Sequence, residues 1–450
     1  MKKGLKIVLS ILICTMLFSS LVGCGNQSNE KGDKVDKQDN KKEVKTLKIT
    51  MHASWYGKGW QAVEKDINER TEELGYKLDF DKIAEGEQGT QILQTRAAAG
   101  DLPDILCINS LQWIDSDLHC IDKVIDLTDQ DWTKNYDDKI LKSNYGYNEK
   151  ILAMPLGGTN FPGIFYNKKV FSDLDIEIPT DWDEFLSACE KIKAAGKVPF
   201  YVAGKDSWTV QIFNIAGLQR EYKGKDISKE YIDLMTNKTN IVDYDKLKDS
   251  YAKLKELKDK GYIQENWLSD NYEGQQKAIV DGTAGMTCNA TWMMEEIQKS
   301  YPDKVDDVGG FSPVFDGDDP IGAWIPNAML GFNTSKNIDE VKDFLNYFGS
   351  IETQTLYFNA QPAIPIAKGI EVKGLSGASQ DIYNEFLNPD RGQTIWQSVP
   401  MPEGVEYVAL GDFPEYSINV LLGERTPEET LQDIREFMEK DAKTKGVKGW

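Results

Sequence analysis

Histidine is almost missing from this chain of 450 residues, which has two, His52 and His119. That excludes a histidine-rich transition-metal site, and a Ser-His-Asp triad would have to use one of those two. Cysteine is scarce, with six residues and no CxxC pair, so zinc-ribbon and thioredoxin-like readings have no support. Cys107 and Cys120 leave a disulfide open, because sequence spacing does not fix a Cα separation. Arginine is sparse as well: Arg70, Arg96, Arg220, Arg391, Arg425 and Arg435. None falls in a predicted strand-end loop, which argues against the guanidinium clamp that amino-acid binders use on a carboxylate. Basic residues (52) are outnumbered by acidic ones (73), for a formal charge of −21. Such a surface repels nucleic-acid phosphates, and no nucleic-acid partner is expected. G-x-S-x-G and H-E-x-x-H are both missing, which counts against an enzyme. The acids are too numerous to single out a glycosidase pair. Asp316-Gly-Asp-Asp319 and Asp173-Leu-Asp-Ile-Glu177 lack the full calcium loop with its central glycine and terminal glutamate, and read as turns. No metal, cofactor or catalytic residue is expected.

Long apolar runs are also missing, with one exception. Ile7–Phe18 is apolar and follows Lys2, Lys3 and Lys6. It falls short of the about 20 residues a spanning helix needs, and its basic flank suits a secretory signal. Leu21-Val22-Gly23-Cys24 resembles the bacterial lipobox. That resemblance implies cleavage before Cys24, a diacylglycerol on its thiol, and anchoring at the extracellular face of the cell membrane. Residues 1–23 are then the signal and 24–46 a tether. The tether is too poor in apolar residues to offset its ordering entropy.

From Leu47 onward, strands alternate with helices. Leu47–Met51 and Tyr76–Phe80 alternate apolar and polar residues, and Asp104–Ile108 is a short apolar run. Between them, 60–74 and 88–99 have helical spacing and stop at Gly75 and Gly100. The order predicts an α/β fold with parallel sheets covered by helices. Ligands of such sheets sit beyond the carboxyl ends of the strands, here His52–Tyr56, Ala84–Gln88 and Asn109–Trp113. Further helices are predicted at 180–195, with Thr180 as N-cap and Asp183 at N3, and at 244–260, 272–281, 339–349 and 427–441. A length of 450 residues is too great for one small core, so two lobes are expected.

Several blocks then appear in a recognisable order. Ala98-Ala-Gly-Asp-Leu-Pro-Asp104, Met154-Pro155 with Phe165-Tyr-Asn-Lys168, Pro179-Thr-Asp-Trp-Asp-Glu-Phe185, Gly282-x-x-Gly285-Met286 with Thr291-Trp292, Ile338–Phe348, and Gln361-Pro-Ala-Ile-Pro365 together resemble the extracellular solute-binding proteins of family 1. These are the sugar-binding components of ABC importers. Thr291 departs from the family's usual glycine, and 218–241 matches nothing recognised. The resemblance implies a two-lobed periplasmic-binding-protein-like fold of type II, each lobe a mainly parallel sheet flanked by helices. Lobe 1 is expected over 47–158 plus 310–352 and lobe 2 over 159–309 plus 353–450. Hinge strands would lie near Ile151–Phe165, Gly309–Ile321 and Ile351–Gln361. The implied partners are a carbohydrate, expected in oligosaccharide form, and the transmembrane permease subunits, with the binder itself a monomer. A polyamine or other small solute, a sensory kinase partner, or a surface glycoside hydrolase are the alternative readings.

A sugar presents hydroxyls and apolar C–H faces, so its site needs flat aromatics together with planar amides and carboxylates. The chain has 11 tryptophans. Strand ends and the family pattern select Trp55, Tyr56, Glu87, Asn109, Ser110, Trp113, Thr159, Trp208, Asn289, Trp292 and Trp324 as candidates. Trp292 leads them, because it matches a family position whose aromatic meets sugar. Trp60, Trp132, Trp182, Trp267 and Trp396 read as packing or surface residues.

Overall fold

The computed structural model describes residues 44–84, 86–316, 319, 321–387, 393–396, 408 and 410–450. The expected signal, Cys24 and nearly all of the tether lie outside these residues, as do the side chains of Glu87 and Trp396. Glu43–Trp450 forms one compact unit.

The strands in chain order are β1 Lys45–His52, β2 Tyr76–Ile83, β3 Ile105–Ile108, β4 Gly146–Tyr147, β5 Lys150–Ile151, β6 Met154–Leu156, β7 Pro162–Asn167, β8 Val198–Tyr201, β9 Ala284–Ala290, β10 Val308–Phe311, β11 Ile321–Trp324, β12 Asn327–Gly331 and β13 Gln393–Trp396. Five of them form the sheet β2-β1-β3-β12-β6 and four form β10-β7-β9-β8. In the first sheet β1 is parallel to β2 and β3, while β12 runs antiparallel to both β3 and β6. In the second, β7 is antiparallel to β9 and β10, and only β8 with β9 is parallel. Both sheets are therefore mixed, which corrects the expectation of mainly parallel ones. A buried apolar strand such as β12 carries no direction in its composition, since every face is covered either way.

Helices cover these sheets where the sequence supplies an apolar stripe. Trp60, Val63 and Ile67 are buried on the Lys58–Glu69 helix. Trp60 stacks on Phe348 at 4.9 Å and 11°, a burial that stabilises by about 2–3 kcal/mol. Trp132, Trp182 and Trp267 are buried too. The Trp182–Ala194 helix is capped by Asp181, whose side chain accepts from the Glu184 N–H. The cap thus falls one residue after Thr180, which instead bonds Glu184 through its backbone N–H and hydroxyl. The segment 218–241, opaque in sequence, supplies the Ile227–Met235 helix to a third, helical core. Leu218, Tyr231, Leu234, Tyr251, Leu431 and Ile434 meet there. The closing helix, Pro427–Lys445, has a full capping box from Thr426 and Glu429. Cys107, Cys120, Cys189 and Cys288 are buried free thiols, so the Cys107–Cys120 bridge left open by the sequence is not formed.

The chain passes between the first core and the others between Leu156 and Phe161, between Trp324 and Ile325, and over Ala363–Ala378, where Ile364 packs with Phe161 and Phe165 while Ala363 and Ala367 pack in the first core. Two of the expected hinge strands are corrected. Val308–Phe311 is an edge strand of the second sheet, paired with β7, and the crossing comes later, at Trp324–Ile325. Ile351–Ala360 is a helix capped by Ser350. Its Tyr357 and Phe358 pack into the first core, so this stretch sits with 47–156 and not with the second lobe. Consecutive residues tie the crossings together. The Thr159 N–H donates to the Ile364 carbonyl at 2.7 Å, and Asn160 and Trp324 exchange two backbone bonds at 3.0 and 2.7 Å.

Candidate functional site

β9 is buried along its whole length, and the chain turns at Thr291 into the Trp292–Ser300 helix. The Thr291 hydroxyl holds this corner to the first crossing: it donates to Asn160 Oδ1 at 3.0 Å and accepts from the Phe161 N–H at 3.2 Å. Threonine at the position where glycine was expected is thus used for its hydroxyl.

Trp292 opens the helix, half-buried. Its ring centroid lies 5.3 Å from that of Trp324 and 6.2 Å from that of Trp208. Trp208 also meets Tyr272 edge-on at 5.0 Å. Three candidate tryptophans, distant in sequence, therefore form one continuous indole surface. Trp208 is its open end at 38% exposure, and Trp324 its packed end at 6%. Asn289 stands behind this surface and is fully buried. Its Oδ1 accepts from Trp292 Nε1 at 2.8 Å and from the Ala290 N–H at 2.9 Å. Its Nδ2 donates to Gln275 Oε1 at 2.8 Å. Gln275 Nε2 donates to Thr287 Oγ1 at 2.7 Å, and that hydroxyl donates to the Tyr201 carbonyl. The oxygen and nitrogen of the Asn289 amide are thus both engaged inside the protein.

The other candidates surround the ends of the first sheet. Trp55, half-buried, sits in the turn Ala53–Trp55 and packs edge-on to His52 at 4.9 Å. His52 Nδ1 bonds the Ala84 carbonyl at 2.9 Å, joining the ends of β1 and β2. Tyr56 is built into the surface: its hydroxyl donates to Glu64, and Lys82 Nζ lies 3.7 Å from its ring centroid. Burial, helped by Glu64, pushes the Tyr56 hydroxyl up to about 12. Asn109 and Ser110 are half-buried after β3, and Trp113 is half-buried on the Leu111–Ser116 helix. Thr159 contributes its backbone to the crossings, as described above.

Sequence reasoning missed two residues. Glu295 lies one helical turn after Trp292, and Gln361 ends the Ile351–Ala360 helix as its C-cap. Gln361 Nε2 donates to Glu295 Oε2 at 3.4 Å, while its Oε1 accepts from the Gly59 N–H at 3.3 Å. Protein packed around the carboxyl pushes Glu295 up to about 7; the Gln361 bond lowers it and neighbouring Glu296 raises it. The i to i+3 spacing from Trp292 was the available sign. Among the described residues no cluster of His, Cys, Asp and Glu could hold a metal ion.

The sequence profile of the bacterial extracellular solute-binding proteins matches residues 56–355. The chain belongs to that family. As a member it is a solute-binding protein of the extracellular compartment and not an enzyme. A multiple sugar-binding protein of Streptococcus mutans is 25% identical over 331 residues, 73% of this chain and 77% of its own length. The raffinose-bound RafE structure superimposes with a TM-score of 0.68 at 22% identity, covering 88% of this chain and 99% of that one. The acarbose-binding GacH receptor of Streptomyces glaucescens has a TM-score of 0.69 at 18% identity, covering 89% and 99%. These solute-binding folds share the two-lobed architecture of type II.

Proposed function

We propose that this chain captures a carbohydrate, an oligosaccharide by preference, and delivers it to the transmembrane subunits of an ABC importer. The carrying observation is the Trp208–Trp292–Trp324 surface beside the crossings. Indole faces suit the apolar C–H faces of pyranose rings, and Trp208 and Trp292 supply the accessible part of this surface, with Trp324 as its packed end. The sugar-binding names of the relatives and the raffinose and acarbose complexes of the structural neighbours support the same class of ligand.

In this reading the ligand lies between the core built on β1, β2, β3, β6 and β12 and the core built on β7 to β10. Trp55, Asn109, Ser110 and Trp113 face it from the first side and Trp208, Trp292 and Trp324 from the second. Contact with both sides favours the closed population. The lipobox resemblance supports a lipid on Cys24 that holds a monomeric binder at the outer membrane face. The test is a thermal-shift and calorimetric screen against raffinose, stachyose, malto- and chito-oligosaccharides. A ligand that binds only the native state raises the melting temperature, and the saccharide should be recovered intact. No shift with any saccharide, alongside a shift with a polyamine, overturns the reading.

A further inference from the structure

Beside the packed end of the indole surface lies a small chamber lined by polar groups without partners. Gln219 ends the Gln211–Gln219 helix, and its side chain is fully buried. Among the described residues, neither its amide oxygen nor its amide nitrogen has a hydrogen-bond partner. The Ser312 hydroxyl, just after β10 on a residue 1% exposed, has none there either. Both side chains line one cavity together with Pro162 and Gly322, and the room between them suits about one water-sized group. Gly322 lets the amide in: a Cβ there would sit 1.6 Å from Gln219 Oε1.

The chamber continues the candidate site. Gly322 and Trp324 are two apart on β11, so they share a face of the strand, about 7 Å from each other. Pro162 is likewise two residues beyond Asn160, whose backbone pairs with that of Trp324. The cavity is thus the next step after Trp208, Trp292 and Trp324 along the same surface.

Its chemistry narrows the occupant. Arg220 and Asp319 also reach the cavity, but their charges are answered within the protein. The guanidinium bonds Asp319 and Asp249, each at 2.8 Å, and Asp316 as well. Asp319 Oδ2 accepts from the Phe315 and Asp316 N–H groups at 3.0 and 2.8 Å. An entering ion would meet no unanswered charge. What stays open is an amide acceptor, an amide donor and a hydroxyl that does both, which together complement a neutral hydroxyl. A sugar ring is too large for the room, and one of its substituents is not.

We propose that this chamber is a subsite for a single hydroxyl or hydroxymethyl group of the bound saccharide, with Gln219 and Ser312 as the residues that select it; this rests on the carbohydrate reading above. Buried polar atoms are unfavourable while unpaired, so the arriving group makes hydrogen bonds that the protein does not make for itself. A saccharide lacking a hydroxyl at that place leaves the atoms unpaired and binds less tightly.

The experiment measures affinity by calorimetry on the full chain in detergent, for raffinose, stachyose, maltotriose and chitotriose, with wild type, Gln219→Met and Ser312→Ala. Methionine keeps the length of glutamine and carries no amide. For the saccharide that wild type binds most tightly, affinity should fall roughly tenfold in Gln219→Met and should also fall in Ser312→Ala. The melting temperature without ligand should hold or rise in both, since each variant deletes polar atoms that had no partner. Ser312→Ala, the smaller change, decides alone if Gln219→Met does not fold. Unchanged affinity overturns the subsite. So does a melting temperature lowered in both variants, which marks a held water that belongs to the fold. If wild type binds none of the four, the carbohydrate reading fails and the subsite with it; equal binding by wild type and variants sinks the subsite alone.

Discussion

Trp292 is held by Asn289: the indole Nε1 donates a 2.8 Å hydrogen bond to a carboxamide oxygen that is itself fully buried. The bond holds the half-buried indole from its nitrogen edge. Both polar atoms of the Asn289 side chain are engaged inside the protein.

Asn289→Leu should therefore weaken saccharide binding without removing a ligand contact. The orphaned indole N–H and Gln275 oxygen cost about 1–3 kcal/mol of stability. The indole gains freedom, so near-ultraviolet circular dichroism should lose tryptophan fine structure. Unchanged affinity together with an unchanged spectrum would show that the bond does not hold the ring.

Trp292→Ala removes the centre of the indole surface. Affinity should drop by about 1–3 kcal/mol in binding free energy, read by calorimetry. Trp208→Ala should cost less, because Trp208 is the exposed end at 38%. Reversal of that order would place the ligand on Trp208 instead.

Arg220 is buried at 3% exposure and bonds Asp319, Asp249 and Asp316. It ties the loop before β11 to the helices of the second half. Arg220→Ala removes the guanidinium that bonds three carboxylates, one of them the buried Asp319, and should destabilise by about 3–5 kcal/mol. Chemical denaturation measures this directly. A loss under about 1 kcal/mol would assign the network to the weak class of surface pairs.

Cys107, Cys120, Cys189 and Cys288 are buried free thiols, and burial raises all four. A thiol that stays protonated and covered reacts slowly. The 44–450 fragment should leave a thiol reagent unconsumed when native and release four equivalents when denatured. Release of two would reveal a disulfide.

Much of this protein was legible before any coordinates. Strand and helix periods of 47–108 reappear as β1, β2, β3 and their covering helices, because burial on one face or both writes itself into residue order. The capping signal read at Thr180 fell one residue short of the cap, Asp181. Trp208 was a candidate because it follows an apolar strand and Trp292 because it matches a family position; that they and Trp324 meet is a fact of the fold.

What the sequence could not decide was anything set by contacts between distant segments. It left open the direction of β12, which returns from the other half, and the packing of Tyr357 into the first core. It likewise hid the inward turn of Asn289. Nor could it pair Glu295 with Gln361, 66 positions away. Local pattern records how much of a side chain is covered; only the folded chain fixes which partner covers it, and that partner sets a bond, a direction and the ease of losing a proton.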